Sequence, residues 1–294
     1  MEPFMKRSPW DILQLILALC LIAAAPALII GSLCYLGRAM PPGQSLVWPE
    51  LQDEAPPPAD PSGDAATERK PIEVFGNVPN EYPAAVRMTA LQTVPVSAGF
   101  ANGQTGFGTG FLYRQGIVVT AAHILDSQGY EDLRLVTVFC DGRNTAGRTL
   151  GFDRLRDVAV IAADCAAKRL TLDTRRPRAA RKLFVTGFTY RASRTAVDRF
   201  LKPAWARPRA LLTDRGPELG DPRINLRIRE IARLGIPRYR AIDALTVPGN
   251  SGSPVVNAAG QVVGMSVIID PTLSVTFITP AVNIRYVLDK AGVR

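Results

Sequence analysis

The sequence predicts an all-β domain that ends in a helix and is preceded by one transmembrane helix. Two observations indicate this fold class. From about Tyr82 onward, short β-rich runs alternate with turn residues, as in an all-β barrel or sandwich. Before them, residues 12–36 form an apolar stretch without a charged side chain. With 294 residues the chain can hold one large all-β domain or two small ones, and its ordinary composition predicts a folded core.

Residues 12–36 predict a membrane anchor, because about 20 apolar residues suffice to cross a bilayer. The stretch is longer than the apolar centre of a secretory signal, which is about 7–15 residues, so we expect it to stay uncleaved. Two alternatives remain open. One is cleavage after a small residue such as Ala25 or Ala27, and the other is burial of the stretch as a helix of a globular core.

The charges that flank this anchor predict its orientation. Lys6 and Arg7 precede it, whereas acidic residues dominate the sequence soon after it. By the basic-flank bias, residues 1–11 lie in the cytoplasm and everything after Gly37 lies in the periplasm or outside the cell. We therefore expect a single-pass protein of the cell (inner) membrane that carries an exported domain.

Residues 37–81 predict a linker. Proline, small residues and charged residues dominate this stretch, so it cannot bury enough apolar surface to fold. We expect an extended tether that lets the folded domain, residues 82–294, stand away from the membrane.

The β-rich runs predict strands at residues 108–113, 117–120, 133–140, 148–153, 158–162, 183–187, 253–257, 262–269 and 275–279. The turn from Asn257 to Gly260 predicts a hairpin between two of them. A C-terminal helix is predicted to begin near Pro280, because apolar residues follow this proline at helical spacing.

One segment, an insertion at about residues 189–240, interrupts this pattern. Ile224, Ile228 and Ile231 fall at helical spacing among arginines, which predicts a basic amphipathic helix. The net charge of the chain is +9, but residues 166–240 alone hold 20 Lys and Arg against 6 Asp and Glu, a local excess of 14. Such a segment could attract anionic lipid headgroups. Because the domain is expected outside the cytoplasm, we expect no nucleic-acid partner.

Three motifs carry candidate catalytic chemistry. The single histidine of the chain, His123, follows an apolar run; Asp157 precedes another; and Ser251 lies in a Gly-Asn-Ser-Gly turn. A serine hydroxyl needs a base to take its proton, and that base needs a carboxylate to hold its tautomer. Each residue alone has an ordinary structural role as the alternative. The order His, Asp, Ser is that of chymotrypsin-type triads, so together they predict a serine hydrolase site.

The glycines around Ser251 predict an oxyanion hole. They permit a tight turn that points the hydroxyl outward and aims amide hydrogens at the substrate carbonyl. The amides of Gly249 and Ser251 are the natural pair of donors, with Asn250 between them in the same loop. One histidine and no clustered cysteines leave no usual ligand set for a metal ion, so we expect neither a metal nor another cofactor.

Four segments resemble trypsin-like serine proteases, and most of all their HtrA/Deg branch: GTGF (108–111), VVTAAHIL (118–125), RDVAVI (156–161) and PGNSGSPVVNAAGQVVGM (248–265). The resemblance implies two six-stranded antiparallel barrels of the chymotrypsin-like fold, with the triad in the cleft between them. It also implies endopeptidase activity on protein or peptide substrates, a role in envelope protein quality control, and a homo-oligomer. The chain departs from the family pattern at Ser253, where a second glycine is usual, and we expect no PDZ domain.

The resemblance also implies a specificity pocket. In trypsin-like enzymes the residue six positions before the serine lies at the base of the pocket for the side chain before the scissile bond, and here that residue is Leu245. An apolar base offers no partner to lysine or arginine, so we expect cleavage after small or medium apolar residues. Met265, Ser266 and Val267 are expected to form the neighbouring wall of the cleft.

Cys140 and Cys165 lie in the part that is expected to be exported, where oxidation is permitted. They bracket Asp157 and could form a disulfide, which the sequence alone does not decide.

A competing hypothesis for the whole domain is a catalytically silent scaffold that binds proteins or anionic lipid through the basic insertion. It is disfavoured because no member of the triad is missing.

Overall fold

The computed structural model describes residues 72–126, 133–178, 181–191, 196–207, 222–244, 246–270 and 274–293. The predicted anchor at residues 12–36 and residues 37–71 of the predicted linker lie outside the described residues. Within the described ranges, no helix is both long enough and apolar enough to span a bilayer.

The described chain is mostly β-structure. Its strands are β1 (Glu73–Phe75), β2 (Thr93–Phe100), β3 (Thr105–Arg114), β4 (Ile117–Thr120), β5 (Leu133–Cys140), β6 (Arg143–Asp153), β7 (Val158–Ala163), β8 (Lys182–Tyr190), β9 (Ala196–Trp205), β10 (Arg240–Ile242), β11 (Pro254–Val256), β12 (Val262–Asp270) and β13 (Val275–Pro280). Its helices are α1 (Ala84–Leu91), α2 (Pro222–Arg233) and α3 (Ala281–Lys290). Each predicted strand overlaps one of these strands, whereas β1, β2, β9 and β10 were not predicted.

The N-terminal half forms a closed six-stranded barrel in the order β2-β3-β4-β7-β6-β5. Each of its strand pairs is antiparallel. Strand β4 is buried along its whole length, and it pairs with β3 on one side and with β7 on the other. The prediction of a six-stranded antiparallel barrel is confirmed for this half.

The C-terminal half differs from the predicted second six-stranded barrel. It is a seven-stranded sheet in the order β1-β9-β8-β11-β12-β13-β10. The strand beyond the predicted six is β1, which pairs in parallel with β9 and comes from the stretch predicted as linker. A bridge between Ala206 and Ile242 joins the chain after β9 to β10. Without β1, the sheet has six strands, with β9 at one edge and the three-residue strand β10 at the other. The bridge therefore brings the two edges of these six strands together.

Helix α3 and Tyr190 both contribute to the contact between the halves. Helix α3 packs against β12 of the sheet and against β6 and β7 of the barrel, and it buries Ile284, Val287 and Leu288. The hydroxyl of Tyr190, at the end of β8, lies 3.1 Å from the carbonyl oxygen of Val96 and 3.0 Å from that of Gly108. Full burial of each apolar side chain stabilises the fold by roughly 1.5–3 kcal/mol.

The predicted insertion at residues 189–240 is partly integral to the sheet. Strand β9 lies inside it and pairs with β8 along nine residue pairs. The basic amphipathic helix predicted there is α2, whose Ile231 is 1% exposed while Leu226 and Arg229 face solvent. The prediction of helix α2 is therefore confirmed, whereas strand β9 was not predicted.

Candidate active site

His123 lies on a single 3₁₀ turn, Ala122–Ile124, directly after β4. Strand β4 and both alanines before His123 are buried, so the backbone at this point is held by the barrel core. The imidazole itself is 36% exposed. A rigid strand end thus presents the only imidazole of the chain at a surface open to solvent.

Asp157 lies in the turn before β7 and is 1% exposed. Its backbone has φ +53, in the left-handed region that aspartate tolerates better than most residues. One oxygen, Oδ1, accepts a hydrogen bond from the backbone N–H of His123 at 3.0 Å. The other, Oδ2, lies 2.8 Å from Nδ1 of the imidazole. The carboxylate therefore holds both the backbone and the ring of His123.

Arg227 of α2 also contacts this carboxylate. Its Nη1 donates to Oδ2 of Asp157 at 3.1 Å. Burial by itself would raise the pKa of Asp157, but the charge and hydrogen bonds of His123, together with the charge of Arg227, outweigh it and hold this pKa below its ordinary value. Asp157 is therefore ionised at neutral pH, although water does not reach it.

The turn that carries Ser251 packs against the barrel. The carbonyl oxygen of Ser251 accepts a hydrogen bond from the amide of Thr109 on β3 at 2.8 Å. Gly252 has φ +87, and a Cβ there would lie 1.8 Å from the carbonyl oxygen of Thr109 and 2.7 Å from Oγ1 of Thr120. Only glycine allows this approach. Thr120 ends the strand that leads to His123, so the serine turn and the histidine turn meet at the same end of β4.

Asn250 braces the same turn. Its Oδ1 accepts from the amide of Val247 at 2.8 Å, and its Nδ2 donates to the carbonyl of Phe188 at 2.8 Å. Its own amide donates to the carbonyl of Val247 at 3.0 Å. Asn250 is one of the three residues predicted at the oxyanion hole. Its backbone amide is already hydrogen-bonded within the turn and is not available to a substrate oxygen.

The amides of Gly249 and Ser251 differ in this respect. Among the described residues, no acceptor takes a hydrogen bond from either amide. Gly249 has φ +95, and its carbonyl oxygen is held by Oγ1 of Thr109 at 3.0 Å. The carbonyl of Gly249 thus points to the barrel, and the amides of Gly249 and Ser251 stay available for another partner.

The predicted specificity pocket is described only in part. Leu245 lies outside the described residues. Met265, Ser266 and Val267 are buried, with exposures of 0%, 1% and 5%. They lie on β12, which pairs with β11 and β13, and their place in the wall of the cleft stays a prediction.

Cys140 and Cys165 form a disulfide, with their Cα atoms 5.9 Å apart. It ties the end of β5 to the chain just after β7. Closing a loop of this length stabilises a fold by about 3 kcal/mol. In the described residues, no group of three or more His, Cys, Asp or Glu side chains could hold a metal ion.

Sequence reasoning missed two residues that the structure places at this site. Arg227 was one of several arginines on a predicted helix, with nothing to set it apart. Tyr239, whose hydroxyl donates to the carbonyl of Leu155 at 2.8 Å, carried no signal either. Both reach the Asp157 turn only through the tertiary fold, from 70 or more residues away along the chain.

Comparison with known proteins agrees with this geometry. Residues 108–265 match the family model of the trypsin-like peptidase domain. The chain is 30% identical over 166 residues to HhoA of Synechocystis, a protein assigned as a serine protease; the match covers 55% of this chain and 36% of that relative. The chain thus spans about a third of the relative's length.

Solved structures of proteases share the fold. The active form of the Rv3671c protease from M. tuberculosis matches with a TM-score of 0.56 and 24% identity, over 76% of this chain and 92% of that chain. The serine endoprotease from Yersinia pestis matches with a TM-score of 0.53 and 21% identity, over 73% of this chain and 68% of that chain.

Proposed function

Because the chain belongs to the trypsin-like peptidase domain family, we propose that it is a serine endopeptidase with the triad His123, Asp157 and Ser251. The observation that carries this proposal is the double hold of one buried carboxylate on His123, at the backbone N–H and at Nδ1. This leaves Nε2 as the ring nitrogen without a proton. Acyl transfer to serine requires a base in that tautomer. His123 provides it at the end of β4, against which the serine turn packs.

The reaction then proceeds by an acyl-enzyme. As Oγ of Ser251 attacks the scissile carbonyl carbon, Nε2 of His123 takes the hydroxyl proton, and Asp157 stabilises the imidazolium. The proton passes to the leaving amine when the peptide bond breaks. Water next gives a proton to His123 and attacks the acyl-enzyme, which releases the new carboxyl end and restores the serine hydroxyl.

The oxyanion is stabilised by the amides of Gly249 and Ser251 in this proposal. The two amides have no described acceptor, and Thr109 and Asn250 hold the loop around them. Donors that are fixed before the reaction lose no reorganisation energy when charge develops, and removing one such donor costs about 10²–10³ in rate.

The decisive experiment is labelling of residues 72–294 and of the full chain with a fluorophosphonate, which reacts with an activated serine. We expect labelling of the wild type and none of Ser251→Ala or His123→Ala. Ser253→Ala is the matched control, since it removes a buried hydroxyl two residues away and should leave labelling intact. An unlabelled wild type, or equal labelling of Ser251→Ala, would rule out the proposed activity and favour a binding scaffold.

The substrate preference belongs to the same proposal. Leu245 stands six positions before Ser251, so we propose cleavage after small or medium apolar side chains. A peptide panel that differs only in the residue before the scissile bond tests it. Preference for alanine or valine over arginine supports the assignment, and preference for arginine contradicts it.

We further propose that residues 12–36 anchor the protein in the cell membrane with the peptidase domain outside the cytoplasm. The support is a charge-free stretch of sufficient length with Lys6 and Arg7 before it. Membrane fractionation, followed by protease treatment of intact spheroplasts, tests both parts. Recovery in the soluble fraction, or protection of the domain from the added protease, would contradict the proposal.

A further inference from the structure

We propose that Arg227 is a positioning residue for catalysis, which makes the activity depend on the docking of α2 against the Asp157 turn. This inference rests on the proposed function. Arg227 touches neither the serine turn nor the imidazole in any described contact; it acts through Asp157, whose Oδ2 it shares with the imidazole.

Charge balance is the first argument. Asp157 is 1% exposed, and a carboxylate so deeply buried needs a compensating charge or it loses ionisation. The charge of His123 that lowers the pKa of Asp157 exists only when the imidazole is protonated, whereas a base must start neutral and then supplies hydrogen bonds alone. Arg227, with its side chain 30% exposed, supplies the positive charge in that resting state.

Geometry is the second argument. The left-handed backbone of Asp157 is unfavourable for a residue with a side chain, so the surroundings must hold it. Tyr239 donates to the carbonyl oxygen of Leu155, two residues before Asp157, at 2.8 Å, and it also interacts electrostatically with Arg227. Tyr239 thus holds the turn at its backbone, and Arg227 holds it at its carboxylate.

The origin of this pair is the third argument. Arg227 is on α2 and Tyr239 directly precedes β10, so both come from the segment between β9 and β10. The same segment buries Ile231 and Ile236, which anchor it on the core. A small shift of this segment would displace the carboxylate, and a misplacement of about 1 Å can cost a hundredfold in rate.

The experiment compares Arg227→Met, Arg227→Lys and Arg229→Met. Arg229 lies on the exposed side of α2, so Arg229→Met removes the same charge from the same helix away from Asp157. With active sites counted by fluorophosphonate, we expect kcat of Arg227→Met to fall about 10- to 100-fold with KM within about twofold. Arg227→Lys should recover part of the loss, and Arg229→Met should match the wild type.

A second measurement does not need turnover. The chain has one histidine, so ¹⁵N-histidine labelling gives one Nδ1–H signal. We expect that proton signal to be sharp in the wild type and in Arg229→Met, and broadened by faster exchange in Arg227→Met.

Three results would overturn the inference: an unchanged or raised kcat in Arg227→Met, an equal loss in Arg229→Met, or an unchanged Nδ1–H signal. A merely structural role for Arg227 would lower the melting temperature but leave kcat per labelled site unchanged. An unlabelled wild type instead defeats the proposed function. In that case the Nδ1–H signal alone decides whether Arg227 positions the Asp157–His123 pair.

Discussion

Oδ1 of Asp157 accepts the backbone N–H of His123 at 3.0 Å, while Oδ2 lies 2.8 Å from Nδ1 of the same residue. A single buried carboxylate thus determines where the turn after β4 sits and how its imidazole is oriented. This relationship makes Asp157 a residue of both the fold and the proposed chemistry, and the two roles can be separated by experiment.

Replacing Asp157 by asparagine tests the chemical role. Asparagine has nearly the same shape, but its amide can donate to Nδ1 and so favour the tautomer with a proton on Nε2. We expect kcat on a peptide substrate to fall by about 10³- to 10⁴-fold. A fall of less than tenfold, with the fold intact by circular dichroism, would contradict the assigned role.

The lowered pKa of Asp157 predicts how stability depends on pH. The unperturbed value is 3.8 and the folded-state pKa is lower, so the ionised form stabilises the fold above 3.8. This contribution disappears as the pH falls through the folded-state pKa. The difference in unfolding free energy between wild type and Asp157→Asn should be larger at about pH 5 than below 3.8, as measured by urea denaturation. A difference that grows in acid would contradict the sign.

Gly252→Ala tests how closely the serine turn rests on the barrel. An added Cβ would lie 1.8 Å from the carbonyl oxygen of Thr109. We expect a loss of about 3 kcal/mol or more in unfolding free energy and loss of fluorophosphonate labelling. Gly142→Ala is the matched control: Gly142 has φ +76 but nothing within 4 Å of an added Cβ, so it should cost only about 1 kcal/mol. Equal effects of the two substitutions would mean that the close approach is absent.

Ser253→Ala should have a small effect of the opposite sign. Ser253 is fully buried, and its Oγ has no hydrogen-bond partner among the described residues. Removing this hydroxyl breaks no hydrogen bond and removes the cost of burying an unpaired polar group. We therefore expect the unfolding free energy to stay equal or rise by up to about 1 kcal/mol. A loss above about 1 kcal/mol in thermal or urea unfolding would show that this hydroxyl does bind a partner.

Joint replacement of Cys140 and Cys165 by alanine should lower the unfolding free energy by about 3 kcal/mol. The disulfide spans the turn that carries Asp157, yet neither sulfur contacts the carboxylate. We therefore expect labelling of Ser251 to persist well below the melting temperature. Wild type with a reductant should behave like the double variant. An unchanged melting temperature in both would show that the thiols are free.

Local patterns decided much of this fold. Strand β4 is the β-branched run Ile-Val-Val-Thr, and strand β3 contains the aromatic and apolar residues Phe111, Leu112 and Tyr113, so both were predictable from their own residues. Strand β9 was not, because it contains Asp198, Arg199, Lys202 and Pro203, and only its pairing with β8 and β1 makes it a strand. Strand β2 is buried at every residue except Gly99, but Pro95 and the small residues obscure the pattern.

The prediction of His123, Asp157 and Ser251 rests on the residue types and their order along the chain, because each lies in a turn whose local sequence is distinctive. Arg227 and Tyr239 became visible only in the folded molecule. Their meeting with the Asp157 turn depends on long-range packing of α2 and β10, and a contact across 70 residues leaves no trace in periodicity, propensity or charge.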